Sequence, residues 1–271
     1  MSDEPAIRAG AGQFDCPVAC AAIRIFTYQP PSFRNGPLFL VFHGGGRDAE
    51  DCRNTSAAMA DRFGAIVVVP HFDQERFPNK RYQFGGVIGA DGRATPPETW
   101  TFALIPEIVR RVRKLADAPG REYYVIGHSA GGQFCMRLAA FLPGDPVRIV
   151  AANPGSGLFP TREQEFGYGF GKLPPALSCD DVLRKYLAAP FTLYLGTADI
   201  HPRPSFDASP AAMKQGYSRL ERGRACHALA ELIARKRNWK FNWRMVEAPG
   251  IGHDEAGMFN AKEMEDALFG K

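Results

Sequence analysis

The chain has 271 residues, of which 45% are hydrophobic and 23% charged, and its formal net charge is +4. This composition lies close to the globular average and excludes a wholly disordered chain, and no apolar run approaches the ~18 residues of a membrane span. The charge is too small to indicate nucleic acid, and the basic stretches Arg110-Arg111-Val112-Arg113-Lys114 and Arg235-Lys236-Arg237 lie in helix-like sequence, where such runs form solvated faces. Glycine and proline are abundant, at 28 and 22 residues, which implies many shaped loops. Met1-Ser2-Asp3-Glu4-Pro5 has neither a basic n-region nor an apolar h-region, so a cytoplasmic chain is expected. The six cysteines, at 16, 20, 52, 135, 179 and 226, form no C-x-x-C pair and are expected to be reduced thiols.

Strands and helices alternate along the chain. Residues 22–28 alternate apolar and polar like a half-buried strand, and 38–42 are an apolar run ending in His43-Gly44-Gly45-Gly46. A helix is expected over 49–63, a strand over 65–70 and a helix over 101–117, with Leu104, Ile105, Ile108, Val109, Val112 and Leu115 on one stripe. A strand at 122–126, a helix at 130–141, a strand at 147–152, a helix at 179–188 and a strand at 191–195 follow. A long helix over 211–237, a strand over 241–247 and a short closing helix complete the pattern. Short apolar strands separated by amphipathic helices indicate a mostly parallel sheet covered on both faces. With no linker visible, residues 1–271 are expected to form one α/β domain. Residues 71–99 and 153–178 fit no element, and their Phe and Tyr content suggests cover loops over a site.

The segment Tyr123-Tyr124-Val125-Ile126-Gly127-His128-Ser129-Ala130-Gly131-Gly132 reads as strand, then Gly-x-Ser-x-Gly, then helix. This is the context of a nucleophile elbow, a turn so tight that the serine is strained and its hydroxyl is lifted above the sheet at a helix N-terminus. The glycine run at 44–46, directly after a strand, lets backbone N–H groups face that hydroxyl. Gly44 or Gly45, together with Ala130, would then hold a developing oxyanion. A serine also needs a base, and the base needs an orienting carboxylate. Of the histidines 43, 71, 128, 201, 227 and 253, His43 is expected to brace its loop, and His71 and His201 could line a cleft. His253 follows the last strand in Gly250-Ile251-Gly252-His253-Asp254 and is placed to reach Ser129. Asp199 leaves the same sheet end through Gly196-Thr197-Ala198, with Asp254, Asp207 and Glu165 as rival acids. The order Ser129, Asp199, His253, at intervals of 70 and 54 residues, leaves room for strands and helices between them.

On the motifs His43-Gly44-Gly45-Gly46, Gly127–Gly132, Gly196–Asp199 and Gly250–Asp254, the chain resembles the α/β-hydrolase superfamily. It is similar to bacterial esterases related to polyhydroxybutyrate depolymerases and feruloyl esterases. The resemblance implies Ser129 as nucleophile, His253 as base and Asp199 as orienting acid, in two-step acyl transfer on a small-molecule ester. Peptidase, thioesterase, lactonase and acyltransferase chemistry use the same scaffold, as could a non-catalytic ligand-binding protein. No metal or organic cofactor, nucleic acid or membrane partner is expected. The aromatic covers are expected to line the pocket, with Phe166, Tyr168, His128 and Trp100 as candidate substrate contacts, and an ester with an apolar or aromatic portion as the ligand.

Overall fold

The computed structural model describes residues 6–18, 21–201 and 205–270. Met1–Pro5 and Cys20 lie outside the described residues; Cys52, Cys135, Cys179 and Cys226 are free thiols. In chain order the elements are β1 (Gly10–Val18), β2 (Ala21–Gln29), β3 (Leu38–Phe42), α1 (Ala49–Thr55), α2 (Ala57–Phe63), β4 (Ile66–Pro70), α3 (Asn79–Tyr82), α4 (Leu104–Leu115) and β5 (Tyr123–His128). They continue with α5 (Ala130–Phe141), β6 (Arg148–Ala152), α6 (Pro175–Ser178), α7 (Asp180–Ala188), β7 (Phe191–Gly196), α8 (Pro210–Met213), α9 (Arg219–Arg237), β8 (Trp243–Ala248), α10 (Glu255–Asn260) and α11 (Met264–Phe269).

The strands form one sheet in the order β1-β2-β4-β3-β5-β6-β7-β8. β1, β2 and β4 pair antiparallel, and every pairing from β4 to β8 is parallel. β3 to β7 are mainly apolar and buried along their whole length because both of their faces are covered. Alternate side chains divide between two cores. Leu38, Leu40, Phe42, Val125 and Leu193 face α4, α5, α7 and α9, whereas Phe39, Val41, Val67, Ile126 and Tyr194 face α1, α2, α10 and α11. The stripe on α4 is buried at Ile105, Ile108, Val109, Val112 and Leu115. Among the described residues no helix is long and apolar enough to cross a membrane.

The expected elements are present, with four corrections. The edge strand β1 has no clear periodic signal; its Gly10-Ala11-Gly12 start and Pro17 weaken a strand pattern that pairing with β2 overrides. The helix expected over 49–63 breaks at Ser56, which ends α1 and begins α2 and donates its Oγ–H to Cys52 O at 2.7 Å. The helix expected over 211–237 is divided at Gly216, whose φ of +146° no helix accommodates, and Ser218 then caps α9. The closing helix is two short ones.

The covers are ordered by polar side chains buried beneath them. Arg137 on α5 donates to the carbonyls of Gln133, Ser156 and Gly167 and to Ser156 Oγ, and lies 4.9 Å over the Phe84 ring. Burial lowers its pKa to about 10, which leaves it charged at neutral pH. Arg222 on α9 holds the carbonyls of Gly155, Asp207 and Gly216 at 2.7, 2.7 and 3.1 Å. Gln215 bridges both carbonyl and N–H of Gly157 and the carbonyl of Tyr168. Loop backbone that would otherwise be unsatisfied is thereby paired.

Candidate active site

Ser129 sits between β5 and α5 with φ 56° and ψ −112°, a strained conformation for a residue with a side chain. The turn is possible because Gly127 and Gly131, two residues to either side, lack Cβ atoms. A Cβ on Gly127 would lie 2.4 Å from the Gly131 carbonyl, and one on Gly131 would lie 2.0 Å from Phe42 O. Ser129 N–H donates to Ala152 O at 3.0 Å, which ties the turn to β6. The first N–H groups of α5, beginning with Ala130, have no partner within the helix and carry its positive dipole end.

Ser129 Oγ lies 2.9 Å from His253 Nε2, and His253 Nδ1 lies 2.7 Å from Asp199 Oδ2. Asp199 is 3% exposed. Its loop and the histidine loop are joined at their backbones: Thr197 N–H donates to Ala248 O and Ala198 N–H to Ile251 O, and Gly250 N–H donates to Thr197 Oγ1. The rival acids are engaged elsewhere. Asp207 accepts from the Tyr168 hydroxyl at 2.7 Å, Glu165 pairs with Lys172, and Asp254 precedes α10.

Two residues that the sequence reading missed shape this arrangement. Asn153, 1% exposed with φ 41°, accepts from Gly196 N–H at 2.7 Å and donates to Gly252 O at 3.0 Å. It therefore clamps the end of the acid strand to the histidine loop. Its only sequence signal is Asn-Pro-Gly after a strand, which marks a turn and nothing more. Arg219, the first residue of α9, places Nη1 3.5 Å from Asp199 Oδ1, with both side chains almost fully buried. A cation at a helix N-terminus opposes the dipole, and that conflict is the signal that could have drawn attention to it.

The glycine loop is braced from beneath. His43 is fully buried; its Nε2 accepts from Phe72 N–H at 3.1 Å and its Nδ1 faces Gly44 O at 3.0 Å. Burial lowers the His43 pKa to about 4, so the ring is neutral. The Tyr82 hydroxyl donates to His43 O, and Arg47, over the Tyr82 ring, donates to Phe72 O and Asn79. A Cβ on Gly45 would come 4.0 Å from that of Ala130, so the loop runs beside the start of α5.

The candidate substrate contacts divide. The His128 ring packs against that of His253, with centroids 4.6 Å apart. Phe166 is not beside Ser129: its ring lies 5.7 Å from that of Phe141, at the far end of α5, about 18 Å along the helix axis from Ser129 at ~1.5 Å rise per residue. Trp100 is 2% exposed, packs on Phe102 and Phe141 and donates Nε1–H to Thr95, so it is a core residue rather than a pocket wall. Tyr168 uses its hydroxyl to hold Asp207 and Ser209 and so fastens the 153–178 cover to the loop that enters α8. Of the other histidines, His71 lies edge-on to His43, His227 packs on Phe241, and His201 is exposed. Among the described residues no group of three or more His, Cys, Asp or Glu is placed to hold a metal ion.

No protein-family model and no curated protein sequence matches the chain. Solved structures do. Poly(aspartic acid) hydrolase-1 from Sphingomonas sp. KT-1 superposes with a TM-score of 0.85 at 31% identity, over 93% of this chain and 96% of that one. LpqC, a poly(3-hydroxybutyrate) depolymerase from Bordetella parapertussis, gives 0.83 at 32% identity, over 93% and 88%. The siderophore hydrolase EstB from Aspergillus nidulans, at 16% identity and a TM-score of 0.52 over 94% and 95%, shares the fold alone. The fold is that of the α/β-hydrolases. The chain belongs to the α/β-hydrolase family that includes poly(aspartic acid) hydrolase-1 and LpqC.

Proposed function

We propose that the protein is a serine hydrolase of carboxylic esters, with Ser129 as nucleophile, His253 as base and Asp199 as orienting acid. The observation that carries this reading is the unbroken chain from Ser129 Oγ through the imidazole to Asp199, 2.9 and 2.7 Å at its two links. In this mechanism His253 takes the Ser129 proton as Oγ attacks the ester carbonyl, and then returns it to the leaving alcohol. Water, activated by the same imidazole, releases the acid from Ser129. Asp199 holds the Nδ1–H tautomer and the positive charge that forms on the ring.

The oxyanion would be held by Ala130 N–H and one glycine N–H. The peptide plane favours Gly45. The Gly44 carbonyl faces His43 Nδ1 and accepts from Arg47 N–H. In a trans peptide the following N–H, that of Gly45, points the opposite way. His253, packed on His128, has little freedom to leave this geometry.

The substrate is proposed to be an ester, whether small or a segment of a polymer, since the two family members named above act on polymers by name. Poly(aspartic acid) is joined by amides, so the first of them favours amide cleavage on the same residues as a second reading. Incubation with a fluorophosphonate, read by intact mass, beside turnover of p-nitrophenyl esters, poly(3-hydroxybutyrate) and poly(aspartic acid), tests both. One adduct and ester turnover, each lost in Ser129→Ala, is the expected result. Turnover of poly(aspartic acid) without ester turnover supports the amide reading, and no adduct with no turnover overturns both.

A further inference from the structure

We infer that Arg219 is a positioning residue that acts through Asp199 and sets the lowest pH at which His253 can serve as base. The inference rests on the proposed roles of Ser129, His253 and Asp199. The Asp199 carboxylate is divided between two partners: Oδ2 faces His253 Nδ1 at 2.7 Å, and Oδ1 faces the Arg219 guanidinium at 3.5 Å. The side chains of Arg219 and Asp199 are 1% and 2% exposed, so water screens the pair little. The 3.5 Å separation is long for a hydrogen bond, and the interaction is chiefly one of charge. Arg219 occupies the first position of α9, where the helix dipole disfavours a cation. Its guanidinium is held further by Ser205 Oγ at 3.4 Å and the Phe206 ring at 5.3 Å.

The consequence follows from counting charges. With Arg219 present, neutral His253, ionised Asp199 and the guanidinium sum to zero, and protonating the imidazole creates a net positive charge in a buried setting. Without Arg219, the same protonation would neutralise Asp199. Arg219 therefore makes the resting imidazole harder to protonate and leaves it available as a base at lower pH. Other charged or titratable groups surround the unit. Arg222 lies over the same Phe206 ring at 4.0 Å, and Asp207 lies beside Arg222. The His128 ring packs tilted against that of His253, and Asp254 and Glu255 follow His253 in the chain. These groups are common to wild type and variants, so the shift on changing Arg219 isolates its charge.

The test is the rate of fluorophosphonate labelling of Ser129, measured by intact mass from about pH 5 to about pH 9, in wild type, Arg219→Met and Arg219→Lys. In Arg219→Met the acid limb is expected to move to higher pH by about one unit, the scale of one charge acting across a partly screened gap of a few ångströms. Arg219→Lys, which keeps the charge, is expected to restore the wild-type limb even if its plateau rate is lower. A slower Arg219→Met with an unmoved limb would show a merely structural role and overturn the inference. Should Arg219→Met not fold, Arg219→Gln is read in the same way. Absence of labelling in wild type would instead remove the serine-hydrolase reading itself.

Discussion

The turn that carries Ser129 and the cover segments beyond it are held in opposite ways. The turn is built from the absence of atoms: Gly127 and Gly131 let β5, α5 and β3 approach until a single added methyl group would overlap a carbonyl. The covers are built from the presence of long polar side chains, with Arg137, Arg222 and Gln215 reaching into loops that have almost no regular structure. The first device is local and leaves a motif in the sequence. The second joins residues far apart in the chain and leaves none. Precision beside Ser129 thus comes from sterics, and order in the covers from satisfied carbonyls.

The comparison can be broken first at the turn. Ser129→Ala should abolish the fluorophosphonate adduct and lower ester turnover about a million-fold, with the melting temperature close to wild type. Gly131→Ala should cost about 3 kcal/mol or more, because its Cβ would meet Phe42 O at 2.0 Å; a denaturant titration measures this. On the cover side, Arg137→Met should cost about 3–5 kcal/mol by leaving the carbonyls of Ser156 and Gly167 unpaired. Limited proteolysis should then cut within 153–178 before the sheet is lost. If cutting began elsewhere, Arg137 would not be what orders that cover.

A pH titration sharpens the comparison at the glycine loop. His43 is held at about 4 in the fold by burial, against an ordinary value near 6.5. The unfolded chain therefore binds the extra proton between these values. The contribution of the neutral ring is complete above pH ~6.5 and is lost as the pH falls toward 4, by roughly 3 kcal/mol at most. His227, also lowered by burial, adds in the same direction. Chemical denaturation at pH 7 and pH 5 should show the loss, and His43→Gln should flatten it. The smallest effect is expected from Phe166→Ala, which lies at the far end of α5 from Ser129. It should leave preference across p-nitrophenyl ester chain lengths unchanged, and a changed preference would place the pocket where the sequence reading expected it.

Fold class was legible because apolar runs such as Leu38–Phe42 and Ile66–Val69 and the stripe on α4 carry their periods in adjacent residues. The site residues Ser129, Asp199 and His253 were nominated because each leaves the carboxyl end of a strand through a glycine-containing turn. The splits at Ser56 and Gly216 escaped because both flanking segments are helical by composition, and one residue's backbone decides the break. Phe166 and Trp100 were misplaced because aromatic content in a loop does not distinguish a pocket wall from a core side chain.

What the sequence by itself determined is what sterics and local periodicity encode: the succession of apolar strands and helices along the chain, the glycine-flanked turn at Ser129, and the residues that leave the sheet at the same end. Only the tertiary structure decided that Arg219 stands behind Asp199, that Asn153 joins the acid and histidine loops, and that buried arginines hold the covers. The Arg219–Asp199, Arg222–Gly155 and Asn153–Gly252 contacts unite residues 20, 67 and 99 apart in the chain. Such pairings satisfy charge and hydrogen-bonding demands that arise only when folding removes water, so no local pattern along the chain announces them.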